Sequence, residues 1–201
     1  MTDRTRGFVL RSPEGARYRF DPGALSLEFL LTGGPGPQAA RHESLHEPGD
    51  LGAWAARSRL ALRPGTVRVA PDDVPAARRL RDALWRLVGA VIAERERPAA
   101  DIAELNAAAR EALVPRMTED GRHGWAAPPT GRQVIGTVAR DAIGLLTGPH
   151  AARVRQCATD TCSLVFVDTS RPGRRRWCSM ERCGNLQKAR ALRERRRTAA
   201  G

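Results

Sequence analysis

Apolar residues recur at helical spacing through most of the first 150 residues. The clearest run holds Leu80, Leu84, Leu87, Val91 and Ile92 on one stripe of a predicted helix. Aspartate or threonine precedes each such run, and glycine or proline follows it. Four helices are therefore predicted: one capped by Asp50, one from Asp72 or Asp73 to about Pro98, one from Asp101 to Pro115, and one from Thr130 to Gly148.

Short β elements interrupt this helical pattern. Phe8–Leu10 and Tyr18–Phe20 flank the turn segment 12–15, which predicts a hairpin. The apolar run 25–31 fits either a strand or a helix, because its leucines satisfy both periods. Residues 116–129, rich in glycine and proline, predict a loop or a loose hairpin around Trp125.

All four cysteines lie near the end of the chain, at Cys157, Cys162, Cys178 and Cys183. The spacing C-x4-C-x15-C-x4-C is typical of a tetrahedral site for one structural Zn²⁺ ion. Two disulfides, or four unrelated buried thiols, are the alternatives. Four thiolates would leave no open coordination position for catalysis.

The residues between the two cysteine pairs predict a zinc-bound hairpin. Leu164–Val167 is expected to form a strand, the segment 170–173 a turn, and Arg174–Trp177 the returning strand. A helix follows the last cysteine, so the arrangement is treble-clef-like. The predicted fold class is mainly α with a small β element (α+β). Residues 1–150 form a helical domain, and residues 151–201 form a zinc finger with a basic C-terminal helix.

Positive charge is concentrated at the cysteine-bearing end. The chain carries a net charge of +12, of which residues 151–201 contribute +9 and residues 1–150 only +3. Such a distribution favours an acidic partner such as nucleic acid. The candidate phosphate-binding residues are those of the hairpin and the last helix: Arg174, Arg175, Arg176, Lys188, Arg190, Arg193, Arg195, Arg196 and Arg197.

The N-terminus has no apolar core of a signal peptide, and no apolar run is long enough to cross a membrane. We therefore expect a cytoplasmic protein without a membrane partner, in which paired cysteines hold metal more often than they form disulfides.

The finger motifs resemble those of the CGNR-type zinc finger. They are Arg153–Cys157, Phe166–Ser170, Arg175–Ser179 and Cys183–Asn185. This finger ends bacterial proteins that begin with an ABATE domain and are described as candidate stress-induced transcription regulators. The segments 24–29 and 50–54 look similar to that domain. The resemblance implies that the four cysteines are the zinc ligands.

One position departs from the family pattern. Leu186 stands where the motif ends in arginine. Either a contact to nucleic acid is lost there, or Leu186, Ala189 and Leu192 form a helix face that packs against the hairpin.

The segment His42–His46 matches the zinc protease signature H-E-x-x-H. That chemistry requires both histidines on one face of a stable helix, with the glutamate as general base. The segment instead lies between a Gly/Pro loop and Pro48-Gly49, so we expect a chance match and a protein that is not an enzyme.

The sequence thus predicts a bacterial DNA-binding transcriptional regulator that associates with the nucleoid when bound to duplex DNA. An RNA-binding protein, or a zinc finger that mediates protein–protein interaction, are the alternatives. A small-molecule effector at the N-terminal domain and a homodimer are expected only by analogy with the general layout of regulators.

Overall fold

The computed structural model describes residues 7–12, 14–126 and 128–199. These residues form two compact units. One comprises residues 24–152, and the other joins the described residues up to Gly23 with the segment from Arg153 onward. Residues 1–23 were predicted to belong to the N-terminal domain, whereas the hairpin in this segment belongs to the same compact unit as the zinc-finger segment.

The unit of residues 24–152 is mainly helical. Its long helix α4 (Asp73–Ile92) packs against α5 (Ala99–Ala108), α6 (Gly131–Thr147) and α3 (Pro48–Arg57), and α1 (Leu25–Phe29) packs against α6. A short antiparallel hairpin lies between α5 and α6. The elements are α1 (Leu25–Phe29), a 3₁₀ turn (Leu30–Thr32), α2 (Pro37–Ala40), α3 (Pro48–Arg57), α4 (Asp73–Ile92), α5 (Ala99–Ala108), β3 (Pro115–Met117), β4 (His123–Trp125), α6 (Gly131–Thr147) and a 3₁₀ turn (Ala151–Arg153) that ends at the boundary between the units.

The ambiguous run 25–31 is a helix followed by a 3₁₀ turn, not a strand. All five residues of α1 are buried, including Glu28. Phe29 packs edge-to-face on Trp54 with ring centroids 4.8 Å apart. The carboxylate of Glu28 accepts a hydrogen bond from the backbone N–H of Arg59 at 2.8 Å. Burial on every side explains why neither period was decisive in the sequence.

Two predicted helix starts were placed too late. α3 begins at Pro48, and Asp50 lies in its first turn, where its carboxylate accepts hydrogen bonds from the backbone N–H groups of His46 and Glu47. α5 likewise begins at Ala99, two residues before Asp101. Proline precedes or opens both helices, because a residue without an N–H group suits the first turn.

The start of α6 is confirmed. Thr130 accepts a hydrogen bond from the backbone N–H of Gln133 at 3.2 Å, and the Gln133 side chain accepts one from the Thr130 N–H at 3.1 Å. This reciprocal pair is a capping box. α4 starts as predicted but ends at Ile92, and α5 ends at Ala108, so both helices stop before the prolines that were expected to end them.

The second unit contains two small sheets and the last helix. Phe8–Arg11 pairs antiparallel with Arg17–Phe20, which confirms the predicted hairpin; Pro13 of its turn lies outside the described residues. The elements are β1 (Phe8–Arg11), β2 (Arg17–Phe20), β5 (Val154–Gln156), β6 (Val165–Val167), a π-helical turn (Met180–Gly184) and α7 (Asn185–Ala199). The predicted class, mainly α with a small β element, is confirmed.

Across the described ranges, no helix combines the length and the apolar content that a bilayer crossing needs.

Candidate metal centre

The four cysteines are carried by four separate pieces of the second unit. Cys157 follows β5, Cys162 ends the tight turn after it, Cys178 follows the loop after β6, and Cys183 lies in the π-helical turn that opens into α7. β5 and β6 pair antiparallel, with Val154 opposite Val167. This pairing holds the first two cysteines in place against the rest of the site.

The four sulfur atoms meet at one point. All four cysteines are buried, and their Sγ atoms lie within 4.8 Å of one another. The Sγ atoms of Cys162 and Cys178 are 3.9 Å apart. A tetrahedral site with Zn–S bonds of about 2.3 Å separates its sulfurs by about 3.8 Å. The donor set and its spacing therefore fit one structural zinc ion, and all four thiols are free rather than joined in disulfides.

The electrostatics of the cluster also favour a cation. Hydrogen bonding with Cys157 raises the pKa of Cys162 to about 12, and hydrogen bonding with the same thiol raises the pKa of Cys178. The pKa of Cys157 is lowered by hydrogen bonds with Cys162 and Cys178. Four thiols this close cannot all ionise alone, so a divalent cation is needed to hold them as thiolates, and its uptake releases protons.

The predicted pairing of the strand 164–167 with the segment 174–177 was wrong. β6 pairs with β5, and residues 174–176 form a loop rather than a returning strand. The loop is held by the buried carboxylate of Asp168, which accepts hydrogen bonds from the backbone N–H groups of Ser170 and Arg175 at 2.9 and 2.8 Å. The backbone carbonyl of Arg176 accepts a hydrogen bond from Ala158 at 2.8 Å. These bonds occupy backbone groups that a strand ladder would need.

The three arginines of this loop do not share one role. Arg175 turns inward: its Nε donates to the carbonyl oxygen of Trp177 at 3.0 Å, its Nη2 donates to that of Cys178, and its guanidinium lies 4.1 Å from the ring centroid of the buried Phe166. Arg174 and Arg176 have exposed side chains. Arg175 therefore supports the finger, and its neighbours are the ones that face solvent.

The cationic side chains predicted on the last helix are all exposed on α7: Lys188, Arg190, Arg193, Arg195, Arg196 and Arg197. The helix carries one acidic residue, Glu194, which pairs with Arg197 at 2.6 Å. Ala189 is exposed, as is 45% of Leu192, so the packed helix face considered for these residues is not formed there. Of these three residues, Leu186 alone is half-buried.

The comparisons with known families agree with this geometry. Residues 153–196 match the model of the CGNR zinc finger. Residues 23–149, well over half of the chain, match the model of the ABATE family, described as "Putative stress-induced transcription regulator". The chain belongs to the ABATE family. The predicted resemblance and the structural zinc are thus confirmed. A search among curated proteins found no match.

The protease-like segment of the ABATE unit has none of the geometry that its signature requires. Residues 41–47 are not helical. The Glu43 carboxylate receives two hydrogen bonds from the Arg81 guanidinium, at 2.8 and 2.7 Å. Burial opposes ionisation of Glu43, but the bonds from Arg81 and the N–H of Leu45 outweigh it and lower its pKa to about 2. A carboxylate held in this way is a poor general base.

A cavity of about 240 Å³ lies among α4, α5 and α6 of the ABATE unit. Its lining carries both signs of charge, with Arg79 and Arg132 beside Glu104 and Glu111, and small side chains such as Ala107 complete it. Nothing in this lining selects one class of small molecule. The predicted effector therefore stays a prediction.

Two residues near the metal centre were not predicted as site residues. Arg182 places its guanidinium beside Cys162, and Tyr18 of the N-terminal hairpin contacts that guanidinium. A weak signal was present, since Tyr18 and Phe20 alternate with arginines and so predict one buried face of β2. That pattern does not say which element covers the face.

Proposed function

We propose that the protein is a DNA-binding transcriptional regulator in which the zinc centre is structural and exposed arginines bind the phosphate backbone of duplex DNA. The observation that carries the proposal is α7, which leaves the metal centre with six exposed cationic side chains and one acidic residue. Membership of the ABATE family supports a regulatory role. Arg174 and Arg176 extend the same charge on the loop before Cys178.

The distribution of aromatic residues favours duplex over single-stranded nucleic acid. Single-strand binding usually relies on exposed rings on which bases stack. Among the aromatic rings in the described part of the second unit, Phe20, Phe166 and Tyr18 are buried. Phe8 is half-buried, as is Trp177, which lies beneath the Arg176 guanidinium. A surface that offers guanidinium groups but few stacking platforms suits a phosphate backbone.

The start of α7 offers little for reading bases. Leu186 stands in place of the motif arginine, and the amide of Gln187 is directed to the hydroxyl of Thr159 at 3.4 Å. Phosphate contacts position a protein on DNA, whereas base contacts specify the sequence. We therefore expect binding that depends strongly on salt and weakly on sequence at the start of this helix.

The test is the salt dependence of binding to duplex DNA. Arg190, Arg193 and Arg197 are replaced together by glutamine, and the matched control replaces three exposed arginines of the ABATE unit, Arg63, Arg95 and Arg116. The slope of log affinity against log salt is negative, and each lost phosphate contact makes it less negative by about 0.9. For the α7 variant this slope should be less negative by about two to three, and for the control variant it should equal that of the wild-type protein.

Two outcomes contradict the proposal. Equal slopes for both variants would assign the contact to another surface, and no binding of the wild-type protein at low salt would leave α7 as a protein-binding element. Competition by structured RNA at matched salt distinguishes RNA from DNA as the partner. A homodimer and a cytoplasmic location remain expectations from the sequence.

A further inference from the structure

The N-terminal hairpin β1–β2 packs on the zinc-finger segment although 133 residues separate Phe20 from Arg153 in the chain. Phe20 is fully buried and Tyr18 is 6% exposed. The backbone carbonyl of Pro22 accepts a hydrogen bond from the N–H of Val167 at 2.8 Å, so the chain leaving the hairpin joins β6. This segment precedes both family matches, which cover residues 23–149 and 153–196.

The chain after the hairpin passes close to β6 at Gly23. Gly23 has a φ of +92°, and a Cβ at this position would lie 3.1 Å from the Cβ of Val167. Glycine alone adopts this conformation without strain while allowing so close a contact. The hairpin is therefore fitted to the finger at its exit as well as through its buried face.

Arg182 connects the hairpin to the metal centre. Its Nη1 donates a hydrogen bond to the Tyr18 hydroxyl at 3.0 Å and lies 3.9 Å from Cys162 Sγ. Its guanidinium carbon lies 5.2 Å from the centroid of the Tyr18 ring, as in a cation–π contact. Burial raises the pKa of Tyr18 to about 12, so this side chain stays a neutral phenol. One arginine thus touches a strand residue and a metal ligand at once.

A cation beside Cys162 meets a clear electrostatic need. Four thiolates around a divalent cation leave two negative charges in a buried site, and buried charge is costly unless it is compensated. An N–H group directed at a ligating sulfur supplies part of that compensation and fixes the orientation of the ligand. Cys162 and Cys178 are buried beside two arginines, Arg182 and Arg175, and the Arg182 guanidinium also contacts Tyr18, which lies outside the finger segment.

We propose that Arg182 is a positioning residue of the metal centre, and that Tyr18 makes metal retention and docking of the N-terminal hairpin mutually dependent. The coupling is reciprocal. If the docked hairpin strengthens metal binding, then bound metal strengthens docking of the hairpin by the same free energy. Residues 7–23 are then a working part of the finger rather than a leader to the ABATE unit.

The first test measures metal retention in the full-length protein. Zinc transfer to a chromogenic chelator is followed for Arg182→Gln, Arg182→Lys and Tyr18→Phe, with Arg17→Gln on the exposed side of β2 as the control of equal charge change. Loss of such an outer contact typically weakens metal binding by about 10–100-fold. Arg182→Gln should release zinc about tenfold faster, Tyr18→Phe less so, and Arg182→Lys should restore part of the loss.

A spectroscopic reading separates positioning from general destabilisation. In the Co²⁺-substituted protein, removal of an N–H donor from a thiolate should move the sulfur-to-cobalt charge-transfer band to longer wavelength. Arg182→Gln should show this shift and Arg17→Gln should not. For Arg182→Gln, an unshifted charge-transfer band together with a zinc release rate within twofold of that of the wild-type protein would overturn the role of Arg182.

The second test needs no variant. Zinc is removed from the wild-type protein, and hydrogen exchange is measured for the amides of β1 and β2. We expect their protection to fall together with that of β5 and β6, while α4 and α6 keep theirs. Retained protection in the hairpin, with loss confined to residues 153–199, would overturn the coupling.

Discussion

Each of the two compact units has its own source of internal stability, and the two sources differ. The ABATE unit has an apolar core built on α4, where Leu80, Leu84 and Leu87 are fully buried. The second unit buries few large side chains besides Phe20 and Phe166, and the four thiols occupy the centre of its finger. A segment this small rarely gains enough from apolar burial alone. We therefore expect the ABATE unit to fold by hydrophobic burial and the second unit to depend on its metal.

Loss of a ligand should break this comparison most severely. Cys183→Ser removes one of four thiolates, and a structural zinc site contributes about 10–16 kcal/mol of apparent folding free energy. We expect the variant to lose bound zinc and the ordered structure of β5, β6 and the π-helical turn, while the ABATE helices remain folded. Metal analysis and hydrogen exchange by segment measure both effects.

Leu192→Ser is the matched control for that prediction, because Leu192 is 45% exposed on α7 and lies nine residues beyond Cys183. It should keep one zinc per chain. A Cys183→Ser protein whose finger amides stay protected would show that the finger folds without its metal centre.

A core substitution should produce the opposite result. Leu80 is fully buried in α4, and Leu→Ala substitutions of this kind cost about 2–5 kcal/mol through lost burial and the cavity left behind. Leu80→Ala should lower the unfolding free energy of the ABATE unit by that amount and leave zinc content unchanged. Urea unfolding followed by far-UV circular dichroism measures it, with the partly exposed Ile102→Ala as control. Equal losses for the two variants would contradict the proposed core.

The smallest effect is expected at Glu43, where the ABATE unit uses charge rather than apolar burial. Its pKa is lowered to about 2 from an ordinary value of 4.5. Because the folded pKa is the lower one, the ion pair with Arg81 stabilises the protein above about pH 4.5, and this contribution declines as the pH falls toward 2. Glu43→Gln should cost about 2 kcal/mol near pH 7.

The difference between Glu43→Gln and wild type should shrink when unfolding is repeated at pH values from 7 down to 3. Glu104→Gln is the control, since Glu104 lies 3.9 Å from the exposed Arg79 and such pairs contribute less than about 1 kcal/mol. A difference for Glu43→Gln that does not vary with pH would show that the loss is one of packing. Unchanged zinc content in this variant would agree with zinc held by the cysteines alone.

Much of the local structure was predictable because its signals are local. The Thr130 cap lies three residues from its partner Gln133, and the apolar stripe of α4 repeats within one helix. Helix starts were less accurate, since Pro48 opens α3 and Pro98 directly precedes α5, whereas both starts were assigned to the aspartates after them. The run 25–31 could not be assigned, because α1 is buried on all sides and its apolar residues satisfy both periods.

At the metal centre, the ligands were predictable and their surroundings were not. The spacing of the four cysteines is a property of the chain, and only a few chemistries use it. The partner of β6 was predicted to be Arg174–Trp177, and the structure pairs β6 with β5 instead. The inward turn of Arg175 depends on carbonyl groups and a phenyl ring that fold around it. No count of arginines separates such a residue from its exposed neighbours.

The sequence by itself determined the helical class, the four zinc ligands and the concentration of positive charge near the end of the chain. Each follows from residue type and spacing within short stretches. Only the tertiary structure decided that the N-terminal hairpin belongs with the finger, that Arg182 joins Tyr18 to a metal ligand, and that Glu43 pairs with Arg81. The physical reason is distance along the chain: Tyr18 and Arg182 are 164 residues apart, and no local pattern encodes which buried faces meet.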